Sequence, residues 1–259
     1  MAISALRSRP AAGRLFLLAV ALAAPGGAAM EDPATAWLEA LRQRDSASLA
    51  RLAATPAAPV EAALPDGTTA LMVVARQGPP RLMERLVTLG ADVCAENTRG
   101  GTALMYAAVA GDPATLAWLL DHGARIRERA SNGWSALTIA AAKGHEAAVR
   151  LLLARGADPD KADIYGGTPL IRAVEGGYGA AARILLEEGG AAVDAVDEQG
   201  ATALHHAAAN GDSGIVDLLL RHGADPARRT SRGLTPGDVA RLGGRDEVAA
   251  VLARRAPPG

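Results

Sequence analysis

Apolar residues recur with helical spacing along this chain, but only in short runs separated by glycine and acid. The run at 197–226 is the clearest. Leu204, Ala207 and Ala208 fall at i, i+3 and i+4, the stripe of a half-buried helix. Thr202 stands where a hydroxyl caps such a helix, and Gly211 can end it, because glycine enters the left-handed conformation without a Cβ penalty. Asp212 then opens a second stripe of Ile215, Leu218 and Leu219, closed by Gly223, and Gly200 marks a turn upstream. The pattern predicts a turn and two short helices. Neither helix is long enough to be stable alone, so the unit must bury its stripes against copies of itself.

Copies are present. Equivalents of Thr202 stand at Thr35, Thr69, Thr102, Ser135, Thr168 and Thr235, giving successive spacings of 34, 33, 33, 33, 34 and 33 residues. The closing pair returns as Gly90-Ala91, Gly123-Ala124, Gly156-Ala157 and Gly223-Ala224. The strongest copies read Thr-Ala-Leu-His-His-Ala-Ala (202–208), Thr-Ala-Leu-Met-Tyr-Ala-Ala (102–108) and Leu-Leu-Leu-Ala-Arg-Gly-Ala-Asp-Pro (151–159). A terminal variant, Gly-Leu-Thr-Pro-Gly-Asp-Val-Ala, occupies 233–240. A period near 33 with a Thr-x-Leu-x-x-Ala core resembles the ankyrin repeat, over roughly residues 31–255. The resemblance implies an all-α solenoid of stacked helix-turn-helix units with turn tips, working as a protein-binding module.

The period divides the chain into a leader at 1–29, an N-terminal capping repeat at 30–63, and repeats at 64–96, 97–129, 130–162, 163–196 and 197–229. A C-terminal capping repeat with a tail fills 230–259. In the first cap Trp37 takes the Leu slot and Arg44 the corner usually held by glycine. Arg42, Gln43 and Arg51 cover its outer face, as Arg241, Arg245, Arg254 and Arg255 cover that of the last, which a cap requires. Pro79-Pro80 and Asp112-Pro113 open second helices, where the missing N–H of proline costs nothing. Gly176, Gly177 and Gly179 crowd one inter-helix corner, and Gly189-Gly190 lengthens a closing turn by one residue. These glycines predict that 163–196 is the weakest repeat, since a helical glycine costs about 1 kcal/mol relative to alanine.

The leader changes the picture of where the array works. Arg7, Arg9 and Arg14 precede ten apolar residues, Leu15 to Ala24, and then Pro25-Gly-Gly-Ala-Ala. Basic, apolar, small is the order of a secretory signal peptide, with cleavage expected after Ala29, or else after Ala23 or Ala28, and ten apolar residues are too few to span a bilayer comfortably. The expected home is the periplasm of a bacterium, or beyond. Removing the three leader arginines from 27 basic residues leaves 24 against 28 acidic ones, a net charge of −4. An acidic body argues against nucleic acid as the partner. Cys94 is the single cysteine, so no intramolecular disulfide forms. With 3% aromatic residues the core must be built from Ala, Leu and Val.

Catalytic and metal motifs fall away one by one. His145-Glu146 begins like a zinc-protease helix, but the second His is replaced by Val149. Gly177-Tyr178-Gly179 mimics a dinucleotide fingerprint without the strand that would build its cradle. Gly133-Trp134-Ser135 falls short of a nucleophile elbow because Leu137 takes its last position. His122, His145, His205 and His222 recur at repeat positions, and the resemblance gives His205 hydrogen bonds within and between repeats. His206 is off-pattern, and neighbours on a helix do not chelate. No enzyme, cofactor or metal is expected; an unrecognised site around His205, His206 and Cys94 is the weakest alternative, and a periplasmic inhibitor of a toxic enzyme the nearer one.

What remains is a surface. In ankyrin proteins the turn tips and the exposed side of the first helix line a concave groove that grips partner proteins. Carried over by frame, the positions are Arg76, Gln77, Arg99, Asn132, Trp134, Lys143, Ile164, Tyr165, Glu175, Gln199 and Asn210, with Thr98, Ser131, Glu198 and Arg232 beside them. Trp134 and Tyr165 lie on adjacent repeats and are the expected anchors, since Trp, Tyr and Arg dominate binding hot spots; the alternative is that Trp134 packs against the neighbouring turn as core. The array is expected to act as a monomer on a protein partner.

Overall fold

The computed structural model describes residues 32–255. Among them are fourteen helices of seven to eleven residues and no strand, with one isolated antiparallel bridge between Val196 and Thr202. The helices come in pairs, one pair per repeat. They are α1 (Pro33–Gln43) with α2 (Ser46–Leu52), α3 (Ala70–Gln77) with α4 (Pro80–Thr88), and α5 (Ala103–Ala110) with α6 (Pro113–Asp121). Next come α7 (Ala136–Ala142) with α8 (Glu146–Ala154), α9 (Pro169–Glu175) with α10 (Gly179–Glu187), and α11 (Ala203–Asn210) with α12 (Ser213–Arg221). The last pair is α13 (Pro236–Leu242) with α14 (Asp246–Arg255).

The repeating Thr or Ser starts the first helices of the repeats after the N-terminal cap, whereas Thr35 lies inside α1, which begins after Asp32. Thr69, Thr102, Ser135, Thr168 and Thr235 accept the backbone N–H three residues on, from Met72, Met105, Thr138, Ile171 and Asp238. Such a cap is typically worth about 1 kcal/mol. Asp45, Asp112 and Asp212 do the same for α2, α6 and α12 through their carboxylates. At the equivalent positions His145 and Tyr178 cap nothing. Their rings lie over the corner glycine of the preceding repeat, Gly111 under His145 and Gly144 under Tyr178, where any side chain would collide with them. Gly111 and Gly211 turn the corner at φ 78° and 76°, and in the first cap Arg44 does so at φ 55° without being glycine.

First helices pack on first helices from α3 to α13, and second helices on second helices from α6 to α14. Leu71, Leu104, Leu137, Leu170 and Leu204 are buried from the first row; Leu86, Leu119, Leu152, Leu185 and Leu219 are buried from the second. Burying each contributes about 1.5–3 kcal/mol. Trp37 fills the Leu slot of the first cap and is fully buried. The glycine-rich repeat keeps the frame. Its extra residue is taken up where the Ala191 N–H returns to Leu185 O, six residues back, in place of the five-residue return of Ala157 to Leu152. Of its corner glycines only Gly179 enters a helix, at the first turn of α10, which has nine residues like α8 and α12.

Candidate functional site

The turn tips form a ladder. The N–H of Thr98 donates to Asp66 O (2.8 Å), Ser131 to Arg99 O (2.8 Å), Ile164 to Asn132 O (3.2 Å), Glu198 to Tyr165 O (3.0 Å) and Ser231 to Gln199 O (2.8 Å). Each tip is therefore fixed to the next through backbone groups. The side chains of Arg99, Asn132, Ile164, Tyr165 and Gln199 stay exposed. Among them Ile164 and Tyr165 are large apolar side chains, 52% and 56% exposed.

The other positions expected in the groove lie at the far ends of the first helices, by the corners. Arg76 and Gln77 end α3, Lys143 follows α7, Glu175 ends α9 and Asn210 ends α11. Here side chains join the repeats. Gln77 Nε2 donates to Arg44 O (3.4 Å), and Asn210 Nδ2 donates to Val174 O (3.0 Å) and Glu175 O (3.3 Å). His145 Nε2 lies 3.1 Å from Val109 O in the same role. Lys143 follows the last turn of the helix that Trp134 precedes, so the two stand at opposite ends of α7 rather than in one patch.

Trp134 takes the packing alternative to the anchor reading. Its position is dictated by inter-repeat packing. The indole is half-buried, and its Nε1–H donates to Asp163 Oδ2 of the next repeat at 3.0 Å. Asp163 is a hub. Its Oδ1 accepts the N–H groups of Tyr165 and Gly167 (both 2.9 Å), which shapes the tip that presents Tyr165. Its Oδ2 also accepts from Arg172, at 2.8 Å from Nε and 2.6 Å from Nη2, with the Asp163 side chain wholly buried. Burial works against the charge of Arg172, but its bonds to Glu175 and Asp163 outweigh this and raise its pKa. Arg172 Nη1 reaches Glu175 at 2.7 Å; Glu175 lies 3.5 Å from His206 Nδ1; and His206 Nε2 is 2.8 Å from Asp197 Oδ2. A polar line thus runs from Trp134 to Asp197 across three repeats, beneath the exposed tips.

Asp163, Arg172 and Asp197 were not singled out by sequence reasoning, although a signal exists. A polar residue at the tip meets one nine positions on in the first helix: Asn97 with Tyr106, Asp163 with Arg172, Asp197 with His206. That spacing also explains the off-pattern His206. His205 behaves as a repeat histidine. Its Nδ1 takes the Thr202 N–H at 3.1 Å, so the ring is the Nε2–H tautomer and donates to Leu234 O (3.1 Å) in the last repeat. Burial first of all lowers its pKa below 6.5. The alternative site of His205, His206 and Cys94 is not assembled. Cys94 lies in the 64–96 repeat with its Sγ 3.3 Å from Gly123 O, and three repeats separate it from the histidines. Among the described residues no cluster of three or more His, Cys, Asp or Glu side chains could hold a metal ion. No described helix is long and apolar enough to cross a membrane.

The family model described as "Ankyrin repeats (3 copies)" matches at 38–130, 71–163, 127–197, 156–230 and 181–256. The chain belongs to the ankyrin-repeat family. Ankyrin repeats are generic protein-interaction modules, and this one is an all-α repeat solenoid. Similar stretches occur in the human 2-5A-dependent ribonuclease, 48% identical over 58 residues (22% of this chain, 8% of that protein). The mouse ankyrin repeat and SOCS box protein 16 is 47% identical over 53 residues (20% and 12%). An ankyrin repeat protein of Neisseria meningitidis serogroup B is 46% identical over 59 residues, 23% of each chain. The chain thus spans less than a quarter of the length of these relatives, and the likeness is that of the repeat unit. The expected leader at 1–29 lies outside the described residues.

Proposed function

We propose that this ankyrin array is an exported, monomeric, non-enzymatic module that binds a partner protein along its turn tips, with Ile164 and Tyr165 as anchors. One observation carries this reading. Two large apolar side chains stand exposed side by side on a tip whose backbone is already fixed by the ladder and by Asp163. Binding there orders little that is not ordered beforehand, which is how preorganised surfaces keep the cost of association low. The arginine, asparagine and glutamine side chains of Arg99, Asn132 and Gln199 supply a polar rim around the pair. Export rests on the basic-apolar-small order of residues 1–29.

The test is a photo-crosslinking side chain placed at position 165 of the mature chain and, as a control, at Arg183, an exposed residue of α10. A single crosslinked protein from position 165, competed away by unlabelled parent and missing from position 183, supports the reading. Equal labelling from both positions refutes it. Intact mass of the protein recovered from the cell envelope should lack the leader; Met1 retained on cytoplasmic protein would refute export.

A further inference from the structure

A second recognition feature lies away from the tips, where the connector leaving α6 faces the connector leaving α8. They enclose a cavity of about 450 Å³ lined by Ile126, Arg127, Arg129, Ala157, Asp158 and Lys161 among others. Its charge is the most basic among the connectors; Arg229, beside Arg228, stands at the frame position of Arg129 in the 197–229 repeat and likewise donates to the carbonyl of a tip glycine, Gly233. By repeat frame the positions of Arg125, Arg127 and Arg129 are Asp92, Cys94 and Glu96 in the repeat before, and Asp158, Asp160 and Ala162 in the repeat after. One connector of an acidic chain has therefore exchanged its acids for three arginines within five residues.

Those charges are not all neutralised. Arg125 pairs with Glu128 at 3.2 Å. Among the described residues, Arg127, Arg129 and Lys161 have no carboxylate within ion-pair distance. Arg129 is also positioned in advance. Its Nε donates to Gly133 O at 2.9 Å and its Nη2 to Ala162 O, both neutral acceptors that fix the guanidinium without discharging it. Its Nη1 donors make neither of these bonds. A held guanidinium beside two further cations is the arrangement that recognises phosphate oxygens by charge-assisted bonds.

We propose that this cavity binds a small organic phosphate: a phosphate monoester on a neutral, hydroxyl-bearing body. The volume lies within the 300–1,000 Å³ typical of small-molecule sites, and so leaves room for a body beyond the phosphate. Ile126 and Ala157 give that body an apolar wall. Asp158 supplies the one carboxylate of the lining. Its Oδ1 accepts the Asp160 N–H (3.0 Å), and its Oδ2 can accept from a hydroxyl while repelling a second phosphate. The site therefore favours a monoester over a polyphosphate.

The experiment follows amide shifts of the full chain at low ionic strength during titration with ribose 5-phosphate, inorganic phosphate or sulfate. The proposal expects shifts confined to the two connectors, 124–135 and 157–162, and binding of ribose 5-phosphate about tenfold or more tighter than that of either inorganic anion. The double variant Arg127→Ala, Lys161→Ala should weaken that binding about tenfold or more. Both side chains are exposed, so its melting temperature should match the parent's. Absence of connector shifts at millimolar ribose 5-phosphate, affinity unchanged in the double variant, or inorganic anions binding as well as the ester would each overturn it. Arg129→Lys, which keeps the charge but loses the fork, is the second probe. It should weaken binding more than it lowers the melting temperature, and unchanged affinity in it contradicts the proposal.

Discussion

Two rows of side chains run along the array, and they are held in opposite ways. At the tips a ladder of backbone bonds joins the repeats, with Trp134–Asp163 the side-chain addition, and Arg99, Ile164, Tyr165 and Gln199 project freely. At the corners side chains make them, and Gln77, His145 and Asn210 are tied to carbonyls of the repeat before. Where main-chain groups satisfy the stacking, side-chain identity is released for recognition; where side chains do the stacking, identity is constrained by the fold. Substitutions in the two rows should be read on different instruments: tips by affinity, corners by stability.

The largest test of that division is Asp163, a tip residue that points inward. Asp163→Ala removes the buried one of the two carboxylates that pair with Arg172, leaving Glu175, and frees the Trp134 N–H and two backbone N–H groups. Breaking a buried pair in this way costs about 3–5 kcal/mol, to be read as a lower denaturation midpoint. A loss below about 1 kcal/mol would mean that the tip is not built on this hub. Trp134→Phe is milder, removing one hydrogen bond and keeping most of the ring. It should cost about 1 kcal/mol of stability, whereas the freely projecting Tyr165→Phe should cost nothing measurable.

Acid sharpens the comparison through His205, which belongs to the fold rather than to the surface. Its pKa is lowered in the folded state, so between that value and 6.5 the unfolded chain binds more protons than the folded one. Stability contributed by the neutral ring is complete above pH 6.5 and is lost as pH falls through the window beneath it. The Asp groups with lowered values, such as Asp112, act only below their ordinary 3.8. Denaturation midpoints should be flat from neutral pH upward and decline below pH 6.5, with a shallower decline in His205→Asn. A flat profile in the parent would contradict the buried, neutral assignment. An effect of opposite sign is expected at Arg44, whose φ of 55° is the one positive value on a non-glycine residue among those described. Arg44→Gly should stabilise by up to about 1 kcal/mol, because glycine carries no Cβ penalty there. A destabilised variant would show that the Arg44 side chain does more than turn the corner.

Much of this was legible beforehand because a repeat reports each position several times. Thr102 and Thr168 declare their helices by spacing alone, and Gly111 and Gly211 declare their corners. The placement of Trp134 was not legible. A turn residue has no periodic stripe to mark it as inward, and its partner Asp163 lies 29 residues on, outside any local pattern. The glycines of 163–196 read as weakness, which amide exchange in 172–192 against 202–222 would test; in the fold Gly177 takes the ordinary corner φ of 74° and Gly189 is absorbed by a longer return bond. Glycine content in a sequence does not distinguish a corner from a helix interior. His206 looked anomalous only because the nine-residue pairing of tip to helix involves chemically different pairs in each repeat.

The central claim is that a protein partner docks on the tips rather than the corners. It is tested by measuring affinity for the crosslinked partner, once isolated, together with melting temperature on the same samples of Tyr165→Ala and Asn210→Ala. The account predicts that Tyr165→Ala loses about 2 kcal/mol or more of binding, about 30-fold, at an unchanged melting temperature. Asn210→Ala should lose about 0.5–1 kcal/mol of stability at an unchanged affinity. Unchanged affinity in Tyr165→Ala alongside weakened binding in Asn210→Ala would place the interface at the corners and contradict it.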